Sequence, residues 1–166
     1  STYYDVIYDL GLSLNDRDIS KLNGLTIKQI CHYINTNYNT GKTLDYLISI
    51  YYSKLESVYD TCDVIPEAIR LIKYLKGHNV PLSIASGCPD RFIQKTLKKF
   101  GLENCFIQIV GGDSILNGKP DPEVFIKCLN NSHFNCALVI DDSNNGTLAA
   151  LRAGCSSIKF DDFIRN

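Results

Sequence analysis

The sequence predicts an α/β protein in which a parallel sheet, packed by helices, follows an all-helical N-terminal region. Three observations carry this. Up to about residue 60, apolar residues recur only at the helical period. Beyond it, short and nearly continuous apolar runs alternate with helical patterns, as in βαβ units whose parallel strands lie under helices on both faces. Helical patterns also begin on Thr, Asp or Pro and stop at Gly, where helix ends favour those residues.

Taken in order, a short helix is expected over about Tyr3 to Leu10, ending against Gly11. Thr26 with Gln29 forms a capping box ahead of Ile27, Ile30, Cys31 and Ile34 at i, i+3, i+4 and i+7. The polar stretch Asn35 to Lys42 reads as a loop, and Leu44, Leu47, Ile48, Tyr51, Leu55 and Val58 define a further helical face. Pro66 opens the next helix, with Ile69, Ile72 and Leu75 on one face and Gly77 as its stop. Strands are expected at Val80 to Ala85, Phe106 to Val110, Cys136 to Ile140 and Ser157 to Phe160. Between them fall a helix with Phe92, Ile93, Leu97 and Phe100 closed by Gly101, and one entered through Asp121-Pro122 as N-cap and N1. A last helix runs from about Asn145 to Ala153, stopped by Gly154.

Composition narrows the function. The 166 residues carry 17 basic and 18 acidic side chains, a formal charge of −1, with 45% apolar residues. That balance argues against a polybasic nucleic-acid surface, and no apolar run approaches the roughly 20 residues that span a bilayer. The seven Cys are scattered without a C-x-x-C pair, consistent with a reducing, cytoplasmic setting and with neither a zinc nor a redox motif. All except Cys88 read as small buried hydrophobes. Cys88 lies by a helix N-terminus, which lowers a thiol pKa, yet a structural role outweighs a catalytic one. The chain contains no Met, so Ser1 reads as a processed or truncated start.

Ligands of open parallel sheets bind at the carboxyl ends of the strands. Three polar signals fall there: Ser86-Gly87 after the first strand, Lys119 after the second, and Asp141-Asp142 closing the third. Singly, they read as a turn residue, a solvated Lys and an N-cap. Together, a hydroxyl, a free N–H, an ammonium and two carboxylates suit a phosphate bound beside a divalent cation.

The segments IASGCPD (84–90), GKPDPEVF (118–125) and VIDDSNNGTLAALRAG (139–154) resemble the second, third and fourth motifs of haloacid dehalogenase-like hydrolases. The similarity is to the helical-cap branch, which includes beta-phosphoglucomutase and phosphoglycolate phosphatase. Residues 11–30 resemble the first half of that cap, and Val64-Ile65-Pro66 the return to the core. The resemblance implies a Rossmann-like core over residues 61–166 beneath a cap over residues 1–60. It also implies a Mg2+-dependent phosphatase of a small phosphorylated metabolite, acting through an aspartyl-phosphate. Ser86, Gly87 and Lys119 would hold the phosphoryl group, and Asp141 and Asp142 would hold Mg2+, Asp142 more directly. Asn23 and Ile27 stand where beta-phosphoglucomutases typically carry Lys and Arg, which favours a phosphatase over a mutase.

The family's first motif, a strand ending in D-x-D-G that supplies the nucleophilic Asp, has no counterpart. Motif spacing would put that Asp about a dozen residues before Ser1. Its strand normally lies between those bearing Ser86 and Asp141, so both would lose a neighbour, and the chain alone is expected to be an inactive fragment. The triplet Asp16-Arg17-Asp18 reads instead as solvated cap surface. A non-catalytic binding or regulatory module of the same fold remains the alternative. Asn39 to Thr43 is similar to the end of a P-loop but follows a helix and lacks the first Gly, and a receiver domain would place its acidic pair first. His32, His78 and His133 share no spacing and read as surface or cap packing.

Overall fold

The computed structural model describes residues 2–165, apart from the side chains of residues 2–4, 16 and 163–165. Expectations about Ser1 and the Asp16 side chain therefore lie outside the described residues. Four helices come first: α1 (Thr2–Asp9), α2 (Asp16–Leu22), α3 (Ile27–Asn37) and α4 (Leu44–Thr61). Side chains cap three of them. Asn15 accepts from Asp18 N, Thr26 and Gln29 complete the expected capping box, and Thr43 accepts from Tyr46 N. Both α1 and α3 pack on α4, and Ile30, Cys31 and Ile34 bury against Leu47, Tyr51 and Leu55. Phe92, although it comes later in the chain, joins this cluster and stacks on Tyr59 at 5.2 Å between ring centroids.

The remainder alternates: α5 (Pro66–Gly77), β1 (Ser83–Ala85), α6 (Asp90–Lys99), β2 (Gln108–Val110), α7 (Glu123–Ser132), β3 (Leu138–Asp141), α8 (Asn144–Arg152), β4 (Ser156–Lys159) and α9 (Phe160–Arg165). The strands pair in parallel, β1 with β2 in the register Ser83 to Gln108, and β3 with β4 in the register Leu138 to Ser156. Among the described residues the two pairs do not join: no ladder links β1 to β3.

Several boundaries differ from expectation. Gly77 ends α5 as expected, but Val80 does not open a strand: Asn79 turns the chain at φ 58°, and Val80 N donates back to Leu75 O. The first helical residue of α7 is Glu123, with Pro122 as its cap, and Asp121 Oδ1 accepts from Glu123 N at 2.9 Å. Phe160 begins α9 and does not belong to β4. Cys136 precedes β3 and is exposed, so it is not the buried hydrophobe its apolar run suggested. Burial of the sheet on both faces holds only in part. Strand alternation turns Val139 into the cluster with Ala149, Ala150 and Phe125, but leaves Leu138 57% exposed.

Phe92 is 1% exposed and joins α6 to the helical cluster. Phe92→Ala should therefore lower unfolding free energy by about 3–5 kcal/mol, read from urea denaturation followed by circular dichroism.

Candidate active site

The turn after β1 is held by its own polar groups. Ser86 N donates to Val110 O at 3.0 Å, and Ser86 Oγ accepts from Cys88 N at 3.0 Å. Facing this turn, Lys119 is only 7% exposed. Its Nζ donates to the Ala85 carbonyl at 3.1 Å and to Asp141 Oδ2 at 2.6 Å, and lies 5.0 Å from the Phe125 ring centroid. Lys119 thus bridges the carboxyl ends of β1 and β3, two strands that share no ladder among the described residues.

Asp141 is fully engaged. Its Oδ1 accepts from Ser143 N at 2.9 Å and Ser143 Oγ at 2.7 Å, while Ser143 also caps α8. A Cβ on Gly146 would meet this carboxylate at about 2 Å, so only Gly there lets Asp141 lie on the helix end. Burial disfavours the charged form of Asp141, but the Lys119 ammonium and the Ser143 hydrogen bonds outweigh it and hold the carboxyl below its ordinary 3.8. Asp142 is exposed and makes no hydrogen bond or ion pair among the described residues. The two carboxylates fit a hard cation in donor type, Asp142 with free oxygens and Asp141 only by exchange with Lys119. Among the described residues, no group of three His, Cys, Asp or Glu gathers at metal-binding range.

The structure therefore brings Ser86, Lys119 and Asp141 to one rim, with Gly87 in the same turn and Asp142 beside Asp141. Sequence reasoning missed the residues that tie this rim to the helices. Gly118 N donates to Gln29 Oε1 at 2.8 Å, and Asn145 Nδ2 to Asn23 O at 2.6 Å. Gln29 had a visible signal, but only as a helix cap. A cavity of about 760 Å³ opens between α3, α4 and these loops, lined by Leu25, His32, Tyr52, Gly87 and Asp113 among others.

Other singled-out residues resolve locally. Asp18, expected as solvated surface, has a side chain only 14% exposed and accepts from Tyr33 Oη at 2.6 Å, from Tyr38 Oη and from Lys21. Those hydroxyls lower its pKa, and the same contact pushes Tyr38 up to about 12. Cys88 meets Tyr59 Oη at 2.9 Å, and burial pushes its thiol up to about 11, opposite to activation by a helix terminus. Thr43 of the P-loop-like segment simply caps α4.

The sequence pattern of the family described as haloacid dehalogenase-like hydrolase matches residues 3–160. The chain belongs to that family. It is 32% identical over 152 residues to a bifunctional riboflavin kinase/FMN phosphatase of Arabidopsis thaliana, covering 89% of this chain and 40% of that protein. It is 31% identical over 102 residues to phosphoglycolate phosphatase 1 of Pseudomonas aeruginosa, covering 59% of this chain and 38% of that one. The chain thus spans about two fifths of the length of these curated relatives. A hydrolase from Pseudomonas syringae superposes with TM-score 0.78 at 21% identity, over 95% of this chain and 74% of that one. A beta-phosphoglucomutase from Clostridium difficile gives TM-score 0.78 at 19% identity, over 95% and 74%. These structures share the Rossmann-like fold with a helical cap.

Asp141→Asn leaves Lys119 buried without its counter-charge and should destabilise this hydrolase-family chain by about 3 kcal/mol in chemical denaturation. Because the folded-state pKa of Asp141 is depressed, its contribution is complete above the ordinary 3.8 and is lost as pH falls through the lower folded value. The gap between wild type and variant should accordingly shrink below about pH 4.

Proposed function

We propose that the chain is the cap and most of the core of a Mg2+-dependent phosphoric monoester hydrolase acting on a small phosphorylated metabolite. The observation that carries this reading is Lys119, buried between the ends of β1 and β3 beside the Ser86 turn and Asp141. Residues 1–60 form the cap and 61–166 the core. Ser86 Oγ and the Gly87 N–H donate to phosphoryl oxygens, and Lys119 neutralises charge as it develops there. Asp141 and Asp142 hold Mg2+, which when bound screens the repulsion between phosphate and an attacking carboxylate.

The nucleophile of this chemistry is an Asp on a strand ending in D-x-D-G, and no such segment occurs in the sequence. The absence of any ladder between β1 and β3 among the described residues supports a strand fitting there. On this reading the nucleophile comes from elsewhere in the protein, and the chain by itself is inactive. The phosphatase names of the Arabidopsis and Pseudomonas relatives support a phosphomonoester substrate. Ile27, 7% exposed within the helical core, offers no cationic grip on a second phosphate, which supports hydrolysis over mutase chemistry. All seven cysteines are free, and no helix among the described residues is long and apolar enough to cross a membrane. A second reading, a non-catalytic binding module, is favoured by one observation: Asp141 is already committed to Lys119 and Ser143.

With a D-x-D-G strand supplied upstream, the protein should hydrolyse p-nitrophenyl phosphate only with Mg2+. Lys119→Ala and Asp142→Ala should each cut kcat by about 100-fold or more. Full activity in Asp142→Ala would remove the metal assignment, and no hydrolysis by the completed protein would leave the binding module.

A further inference from the structure

The helical region meets the site loops backbone to backbone. A Cβ on Gly118 would stand 2.6 Å from Thr26 N, and one on Gly87 would stand 2.6 Å from Leu25 O. Gly24, at φ +88°, faces Lys119 itself, where an added Cβ would come within 2.7 Å of the lysine Cβ. The turn over residues 23–26 is thus seated directly on the segments bearing Ser86-Gly87 and Lys119. Two hydrogen bonds flank the contact: Gly118 N to Gln29 Oε1 at 2.8 Å, and Asn145 Nδ2 to Asn23 O at 2.6 Å.

Gln29 is the pivot. Its Oε1 also accepts from Thr26 N at 3.2 Å and from Thr26 Oγ1 at 3.1 Å, while Gln29 N donates to the same hydroxyl at 3.3 Å. The capping box therefore immobilises the carboxamide within its own helix, and the bond to Gly118 forms with little further loss of side-chain freedom. A capping box needs no third donor. The donor it receives belongs to the residue immediately before Lys119, whose ammonium is fixed by Ala85 O and Asp141.

We infer that Gln29 is a positioning residue: by holding the Gly118 N–H, its carboxamide oxygen sets Lys119 for the phosphoryl group only while the 23–26 turn is seated. This rests on the phosphoryl site proposed above. Enclosure of the site and placement of its ammonium become a single event, so the positive charge is aligned only when the turn excludes water.

The test uses this chain with Gln29→Met, Gln29→Glu and Thr26→Ala. Two readouts are taken by NMR: hydrogen exchange at the Gly118 amide, and titration with inorganic phosphate followed at the Gly87 and Lys119 amides. Gln29→Met keeps the length and removes the acceptor; exchange at Gly118 should quicken about tenfold and phosphate affinity fall about fivefold. Gln29→Glu retains the acceptor and should restore Gly118 protection. Thr26→Ala weakens the helix cap yet leaves Gln29 on Gly118, so phosphate affinity should hold within about twofold. Unchanged Gly118 exchange in Gln29→Met would overturn the inference, and an equal affinity loss in Thr26→Ala would reduce Gln29 to a structural cap. If the unmodified chain binds no phosphate, the site reading fails on its own, while Gly118 exchange and the Lys119 amide shift in Gln29→Met still decide the coupling.

Discussion

The ion pair between Lys119 and Asp141 is the constraint around which the site is organised. Both side chains are 9% exposed and 2.6 Å apart, so each depends on the other to offset the loss of water. Further hydrogen bonds support the pair: Ala85 O accepts from the Lys119 ammonium, and Ser143 supplies two donors to the carboxylate. Because Ala85 ends β1 and Asp141 ends β3, this polar bridge connects two strand pairs that no backbone ladder joins among the described residues. Lys119 does so from a loop, which is why the loop carrying it must be held by contacts of its own.

Those contacts come from the helical region and are made by backbone. Gly24, Gly87 and Gly118 are each needed for approach, since a single added carbon would collide with a neighbour. Polar residues at the rim of this contact, Gln29 and Asn145, then supply direction where glycine supplies only clearance. Family membership and the shared fold fit this arrangement of helices above a parallel core.

The sequence made helix starts and stops legible wherever the determinant is local. Thr26 and Gln29 satisfy one another within one turn, and Gly101 and Gly154 take positive φ after α6 and α8 as their positions suggested. Determinants that depend on tertiary neighbours were less legible. Val80 looked like the start of a strand but closes back on Leu75, with Asn79 turning the chain at positive φ. Asp18 looked like a solvated charge, since the tyrosines that cover it lie on and just beyond another helix. The order Ser86, Lys119, Asp141 was readable from motif spacing, but the direct grip of Lys119 on both strand ends was not. That grip crosses 34 residues in one direction and 22 in the other.

The split between the strand pairs also bears on the order of folding. Each pair is closed by a nearby crossover, α6 between β1 and β2 and α8 between β3 and β4, so each forms from neighbouring sequence. Short loops make such units fast to assemble. Joining the two pairs is a long-range step, made by the apolar cluster that gathers Val110, Phe125, Val139 and Ala149 and by Lys119 against Asp141. Assembly of the described residues should thus end with two preformed units packing against each other across that cluster, the ion pair closing at its edge.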